Sequence, residues 1–210
     1  AVSPLVSQFL FDLHTRNGVD IRLNESIASI GGANGKASFV STAGDARLVA
    51  DLVLVGIGGV SSDRLARDAQ LSCTNGIVVD DHGMTSDPDI YAAGDCANHY
   101  NAYARDWVRL ESVQNAQDQA KAAGLAIAGK TGPYDSVPRF WSDQYDAKLQ
   151  TVGISRNFDR QAIRGSLESG QFSVFYYKQG KLRAVDSINR AGDQMAARRL
   201  IGTGVSPSPE

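Results

Sequence analysis

In the stretch TSDPDIYAAGDCAN, Thr85 to Asn98, an apolar run from Ile90 to Ala93 leads into Gly94 and then Asp95. The run predicts a short buried strand. A glycine at its tip has no Cβ, so backbone there can approach a ligand closely. In α/β sheets, ligands bind outside the carboxyl ends of the strands. A carboxylate at that place accepts hydrogen bonds from the hydroxyls of a ribityl or ribose chain. The same dipeptide also suits an Asx-turn or a helix cap, in which Asp95 satisfies nearby amides. Residue types alone leave both readings open.

Other chemistries find little support. His14, His82 and His99 all lie in the first half, and no two are at metal-ligand spacing. Cys73 and Cys96 form no CxxC motif, which disfavours a disulfide framework and a zinc cluster. Cys96 reads as a small packing residue. No serine sits in a nucleophile elbow.

The elements that must position Asp95 follow from periodicity. Val6, Phe9, Leu10 and Leu13 form a helical stripe over Leu5–Asn17, with Ser3-Pro4 at its start and Gly18 at its end. VDIRL reads as a strand. GKASFVST and DARLVADLVLVGIG read as an antiparallel excursion around an AGD turn. Leu52–Ile57 is an unbroken apolar run, as in a strand buried on both faces of a parallel sheet. NGIVVDDHG is a further short strand. Leu110–Gly129 reads as a helix with Val113, Ala116, Ala120, Ala123 and Ile127 on its inner face, and Ser112 is a good cap residue. Beyond Pro138, KLQTVGI, RQAIRGSLES, QFSVFYYKQG and KLRAVDSIN are strands with no helix between them, and KQGK is a hairpin turn. AGDQMAARRLI closes the chain as a helix, and GTGVSPSPE reads as a loose tail.

The chain has 210 residues and a formal charge of −2, unevenly spread. Ala1–Tyr134 holds 10 Lys/Arg against 15 Asp/Glu, and Asp135–Glu210 holds 11 against 8. Nothing global suggests nucleic-acid binding, no apolar run has bilayer length, and the opening residues show no signal-peptide pattern. A reducing, cytoplasmic compartment is the expectation. The basic distal part favours an acidic partner through its field, with Arg139, Lys148, Arg183 and Arg190 as candidate contacts. A solvated face explains the same asymmetry equally well.

DPDIYAAGDCA resembles the second FAD motif of the pyridine nucleotide-dependent flavoprotein reductases. RLESVQNAQDQA, FWSDQYDAKLQTVG, FSVFYYKQGKLRAVDSINR and AARRLI are similar to the oxygenase-coupled ferredoxin reductases, in order and over nearly the whole chain. The resemblance implies a fold of partial Rossmann-like NAD and FAD domains followed by a C-terminal antiparallel sheet with a helix. It places residues 1–60 in the NAD domain, 61–133 in the last segment of the FAD domain and 134–210 in the C-terminal domain. It also implies that two GxGxxG-type loops are missing. GIGGVSSD closes a strand and GGANG is a turn, so neither cradles a phosphate. The chain therefore looks like the C-terminal half of such a reductase, with FAD and NAD as the parent's cofactors and a [2Fe–2S] ferredoxin as its partner. The half alone is expected to be inactive and apo. The family's GIGVxPN reads Gly58-Gly59-Val60-Ser61-Ser62 here, which departs from its turn.

The family's cofactor positions fall on Gly58, Gly94, Asp95, Glu111, Ser112, Val113 and Trp141. Asp95 would meet the ribityl side. The Val113 N–H would meet the flavin O2, where a helix N-terminus favours the negative charge of reduced flavin. Trp141 would lie beside the isoalloxazine near the electron exit, and Glu111 near the nicotinamide. For these residues a helix start and a domain-seam aromatic are the plain structural readings. Related disulfide reductases use a C-terminal His–Glu pair, and no histidine follows His99. The alternatives are a non-catalytic partner-binding module, and an NADH oxidase or rubredoxin reductase.

Overall fold

The computed structural model describes residues 2–209. The chain divides into two compact units, Pro4–Val60 and, separately, Ser61 onward together with Val2 and Ser3. In the first unit, α1 (Pro4–Arg16) buries Val6 and Leu13 and stops at Gly18, whose φ is +83°. Strands β1 (Ile27–Ala33), β2 (Lys36–Thr42) and β3 (Arg47–Val49) form an antiparallel meander. Asn34 and Gly35, at φ 53° and 74°, make the tight β1–β2 turn. The expected AGD turn joins β2 to β3. β1 escaped the sequence reading because Gly31 and Gly32, inside the strand, mimic a turn; the Phe39 ring packs over Gly31.

Two expected strands of this unit are absent. VDIRL has no sheet partner. Leu52–Ile57 is extended but unpaired, with Leu52, Leu54 and Ile57 at 86%, 94% and 91% exposure. A parallel strand needs ladders on its flanks and layers on its faces. The described residues of this unit offer only the antiparallel meander.

The second unit begins with α2 (Arg64–Asp68). Strand β4 (Ile77–Val79) pairs in parallel with β5 (Ala97–Asn101), which pairs antiparallel with β6 (Asp106–Val108). The run Ile90–Ala93 is not a strand; Tyr91 alone forms a bridge, to Met84. Helix α3 (Val113–Ile127) follows. Next come β7 (Arg139–Gln144), β8 (Ala147–Gly153), β9 (Arg160–Ser166), β10 (Gln171–Lys178) and β11 (Lys181–Ile188). They form an antiparallel sheet in the order β7-β8-β11-β10-β9, with one strand more than expected, because β7 is the aromatic motif FWSDQ itself. The KQGK turn is formed as predicted, with Gln179 and Gly180 at φ 51° and 72°.

Helix α4 (Ala191–Thr203) covers one face of this sheet. Val137, Val152, Tyr177, Leu182, Val185, Ala197 and Ile201 form the core there. The other face is buried too: Phe172, Val174 and Tyr176 have no exposed surface. There the Ser3 and Tyr176 hydroxyls lie 2.7 Å apart, and Tyr176 donates to buried Asp186 at 2.8 Å. Burial, then the Asp186 charge, raises the Tyr176 pKa, and burial raises that of Asp186. The tail is held rather than loose, since Ser206 Oγ accepts from the Leu182 N–H at 2.9 Å; Glu210 lies outside the described residues.

Asp193, in the first turn of α4, pins the helix to the sheet. It accepts from Ser173 Oγ at 2.9 Å and from Arg190 Nε, while Arg164 lies at 3.4 Å. Burial opposes its charge, but the bonds from Arg190 and Ser173 and the charge of Arg164 outweigh this and hold its pKa low. Asp193→Ala leaves Arg190 without its acceptor and Ser173 with Ser187 Oγ alone. We expect a loss of about 1–3 kcal/mol in denaturant unfolding of the C-terminal sheet.

Candidate functional site

The site is assembled on α3. Ser112 caps the helix, its Oγ accepting from the Asn115 N–H at 3.2 Å. The first helical amides, of Val113 and Gln114, have no partner among the described residues and point out of the helix end. The helix stops at Gly129, at φ +67°. Its buried face shares only Ala123 with the expected one. Gln114, Asn115, Gln119, Ala122 and Ala123 are inside, whereas Val113 and Ile127 are 57% and 66% exposed. Apolar periodicity pointed the wrong way because this helix buries amide side chains that satisfy backbone groups around it.

These amides build one network. Asn115 Nδ2 donates to the Leu110 carbonyl at 3.0 Å and to Gln119 Oε1 at 3.2 Å. Gln119 Oε1 also accepts from the Gly94 N–H at 2.8 Å. Gln119 Nε2 lies 2.9 Å from His99 Nδ1. His99 is 1% exposed and stands edge-on to Tyr134, with centroids 5.1 Å apart. Burial lowers the His99 pKa and keeps the ring neutral; burial also raises Tyr134, to about 12.

Gly94 is required by packing and conformation. Its φ is +81°, and a Cβ there would stand 3.2 Å from the Cβ of Ala116. The Gly94–Cys96 turn is a single 3₁₀ turn whose cap makes no side-chain bond. Asp95 is exposed, and its carboxylate bonds nothing among the described residues. That answers the Asx-turn alternative: the carboxylate satisfies no local amide. The Asp95 carbonyl accepts from Arg109 Nη1 at 2.8 Å. The same nitrogen binds Glu111 Oε1, and Arg109 Nε reaches Asn75 Oδ1 at 3.4 Å. Arg109 thus ties the Asp95 turn to the entrance of α3. The sequence reading missed it, and the only signal was a basic residue two positions before Glu111.

Trp141 is 55% exposed on β7. With Phe140, Leu110, Val108 and Thr151 it lines a groove of about 370 Å³. Leu110, two residues before the Ser112 cap of α3, is part of that lining. Gln114 Oε1 fixes the start of β7 by accepting from the Arg139 N–H at 3.2 Å. Asp95, Glu111, Ser112, Val113 and Trp141 are therefore all positioned by α3 and the residues just before it. Gly58 lies in the Pro4–Val60 unit, where it is exposed at φ +98°.

A grouping that spacing did not reveal is Asp80, Asp81 and His82, whose ligand atoms lie within 4.8 Å of one another. It is exposed, and Asp80 Oδ1 already accepts from the N–H groups of His82 and Met84. Cys96 is half-buried and donates weakly to the Ala93 carbonyl at 3.6 Å. No helix among the described residues is long and apolar enough to cross a membrane.

Comparison with known proteins places this geometry in a class. Residues 1–120 match the pyridine nucleotide-disulphide oxidoreductase family model, and residues 139–210 match the reductase C-terminal model. The chain belongs to that oxidoreductase family, which is FAD-dependent and uses NAD(P)H. Within it, the chain corresponds to the C-terminal half of ferredoxin reductases of the putidaredoxin and rhodocoxin type, with a partial Rossmann-like region before an antiparallel sheet and helix. Rhodocoxin reductase of Rhodococcus erythropolis is 41% identical over 210 residues, 100% of this chain and 49% of that protein. A ferredoxin reductase for the CYP199A2 system from Rhodopseudomonas palustris superposes with a TM-score of 0.95 at 38% identity, over 100% of this chain and 52% of that one. The reductase in a covalent putidaredoxin reductase–putidaredoxin complex gives 0.95 at 39%, over 100% and 51%. The chain spans about half the length of the curated relatives it matches.

The buried His99 generates a pH expectation. Its folded pKa lies below the ordinary 6.5, so the unfolded chain binds the proton first as pH falls. The stability it confers is complete above 6.5 and is lost as pH drops from there toward the folded value. Thermal melts between about pH 8 and pH 5 should show a fall that His99→Gln lacks; parallel curves would contradict the neutral ring.

Proposed function

We propose that this chain is the electron-exit half of an NADH-dependent flavoprotein reductase serving a [2Fe–2S] ferredoxin of an oxygenase system. Residues 1–60 would complete the NAD domain, 61–133 the FAD domain, and 134–210 form the C-terminal domain. The observation that carries the reading is the pairing of an exposed, locally unbonded Asp95 carboxylate with the open N-terminus of α3.

These groups suit one side of FAD. The Asp95 carboxylate accepts from ribityl hydroxyls, and the Val113 amide donates to a carbonyl oxygen at the helix end, where partial positive charge favours an electron-rich ring. Arg109 and Gln119 hold these two groups in register. Trp141 offers a flat aromatic face at the groove beside them. Gly58 and Glu111 would serve the cofactor side of the NAD domain and the nicotinamide. FAD held by Asp95 and the Val113 amide would supply hydride acceptance from a nicotinamide and single-electron release. The protein orients the cofactor, shields it and sets the local field.

Neither GIGGVSSD nor GGANG opens a long helix: the first leads to the five-residue α2 and the second to strand β2. The purified 210-residue chain should therefore bind FAD weakly or not at all. Stoichiometric, tightly held flavin absorbance would contradict this. In the complete reductase, Asp95→Ala should weaken FAD retention by about 1.5–3 kcal/mol while leaving apoprotein melting unchanged. Unchanged retention with a lowered melting temperature would return Asp95 to a local structural role.

A further inference from the structure

A cavity of about 460 Å³, lined by neither Asp95 nor Trp141, lies where the β5–β6 turn meets the residues between α3 and β7. Tyr100, Tyr103 and Tyr134 supply its rings, Asp81 and Asp135 its charges, and no lysine or arginine lines it. Among the described residues the only ionic neighbour of Asp81 is His82, at 2.7 Å, and Asp135 forms no ion pair. Burial, then the charge and hydrogen bond of Asp135, raise the Tyr103 pKa, which places that carboxylate beside the Tyr103 hydroxyl.

The walls are held from behind. The Tyr134 N–H donates to the Asp81 carbonyl at 2.6 Å and ties the α3–β7 connection to the turn after β4. Buried Asn101 accepts through Oδ1 from the amides of Tyr103 and Ala104, both at 3.0 Å, and fixes the β5–β6 turn. The Tyr134 ring stands against the buried His99. A cavity built in advance in this way costs an occupant little ordering. Its size is that of a small-molecule site. Aromatic faces attract a cation through the ring quadrupole, and alkylated ammonium groups are the ions that aromatic boxes hold best. A hard metal ion gains nothing from those faces, because it exchanges its water for oxygen ligands. We propose that this cavity binds a small organic ammonium ion, with Asp135 as its counter-ion and Tyr100 and Tyr103 as the faces against which it rests. None of the cofactor positions takes part, so the site is independent of the reductase reading.

The test titrates the 210-residue chain with tetramethylammonium chloride and follows backbone amide shifts, with sodium chloride at equal ionic strength as the reference. The amides of Asn101, Tyr134 and Ser136 should shift saturably with the organic cation and not with sodium. Asp135→Asn should weaken that binding about tenfold or more. Tyr100→Leu should weaken it as well, whereas Tyr100→Phe, which keeps the ring, should not; Tyr100 is 55% exposed, so melting should be unchanged in both. Equal responses to the two salts would reduce the effect to screening and overturn the site. So would binding that is indifferent to Asp135→Asn and Tyr100→Leu. Magnesium chloride that displaces the organic cation would transfer the assignment to a metal at Asp80, Asp81 and His82. In the complete reductase the response should persist; its loss there would mean that the other half of the protein fills the cavity, and would overturn a free ligand.

Discussion

The hydrogen bond from the Gly94 amide to Gln119 Oε1 is the constraint on which the candidate site depends. A buried N–H without an acceptor costs about 1–3 kcal/mol, so the turn cannot rotate away from α3 cheaply. Ala116 permits the approach, and the positive φ of Gly94 completes it. With the turn fixed on its inner side, the Asp95 carboxylate is left facing outward. The same glutamine is held by His99 and Asn115, and Asn115 in turn binds the Leu110 carbonyl ahead of the helix. A buried network of this kind favours one geometry, because each group that is paired in it is expensive to unpair.

Helix α3 is thus a hub with three outputs. Its N-terminus presents free amides, its buried amide face holds the Asp95 turn, and Gln114 sets the start of β7 and hence the place of Trp141. Arg109 closes the outer side by binding the Asp95 carbonyl and Glu111. The C-terminal sheet supplies rigidity from both faces. α4 is clamped through Asp193 on one, and Tyr176 and Asp186 are buried against Ser3 on the other. Chemistry residues on loops and helix ends are therefore backed by elements that cannot easily shift.

Much of this was legible in residue order. The expected hairpin turns formed, the three long helices were found, and Ser112 capped α3 as its type suggests. The failures have physical causes. Leu52–Ile57 and Ile90–Ala93 carry the composition of buried strands, but pairing is a property of neighbours, and the described residues supply none for the first and only Met84 for the second. The buried face of α3 was misassigned because Gln114, Asn115 and Gln119 are polar by type and become core only through partners distant in sequence. Arg109 was invisible for the same reason, since its contacts run to Asn75 and Asp95.

Amide hydrogen exchange at Gly94 tests the central constraint most directly. In the wild-type chain the Gly94 N–H should be protected to the level of the α3 core amides, and Gln119→Leu should reduce that protection selectively while the amides of β8, β10 and β11 keep theirs. A Gly94 amide that exchanges in the wild type as fast as an open loop, or one whose protection survives Gln119→Leu, would contradict the account.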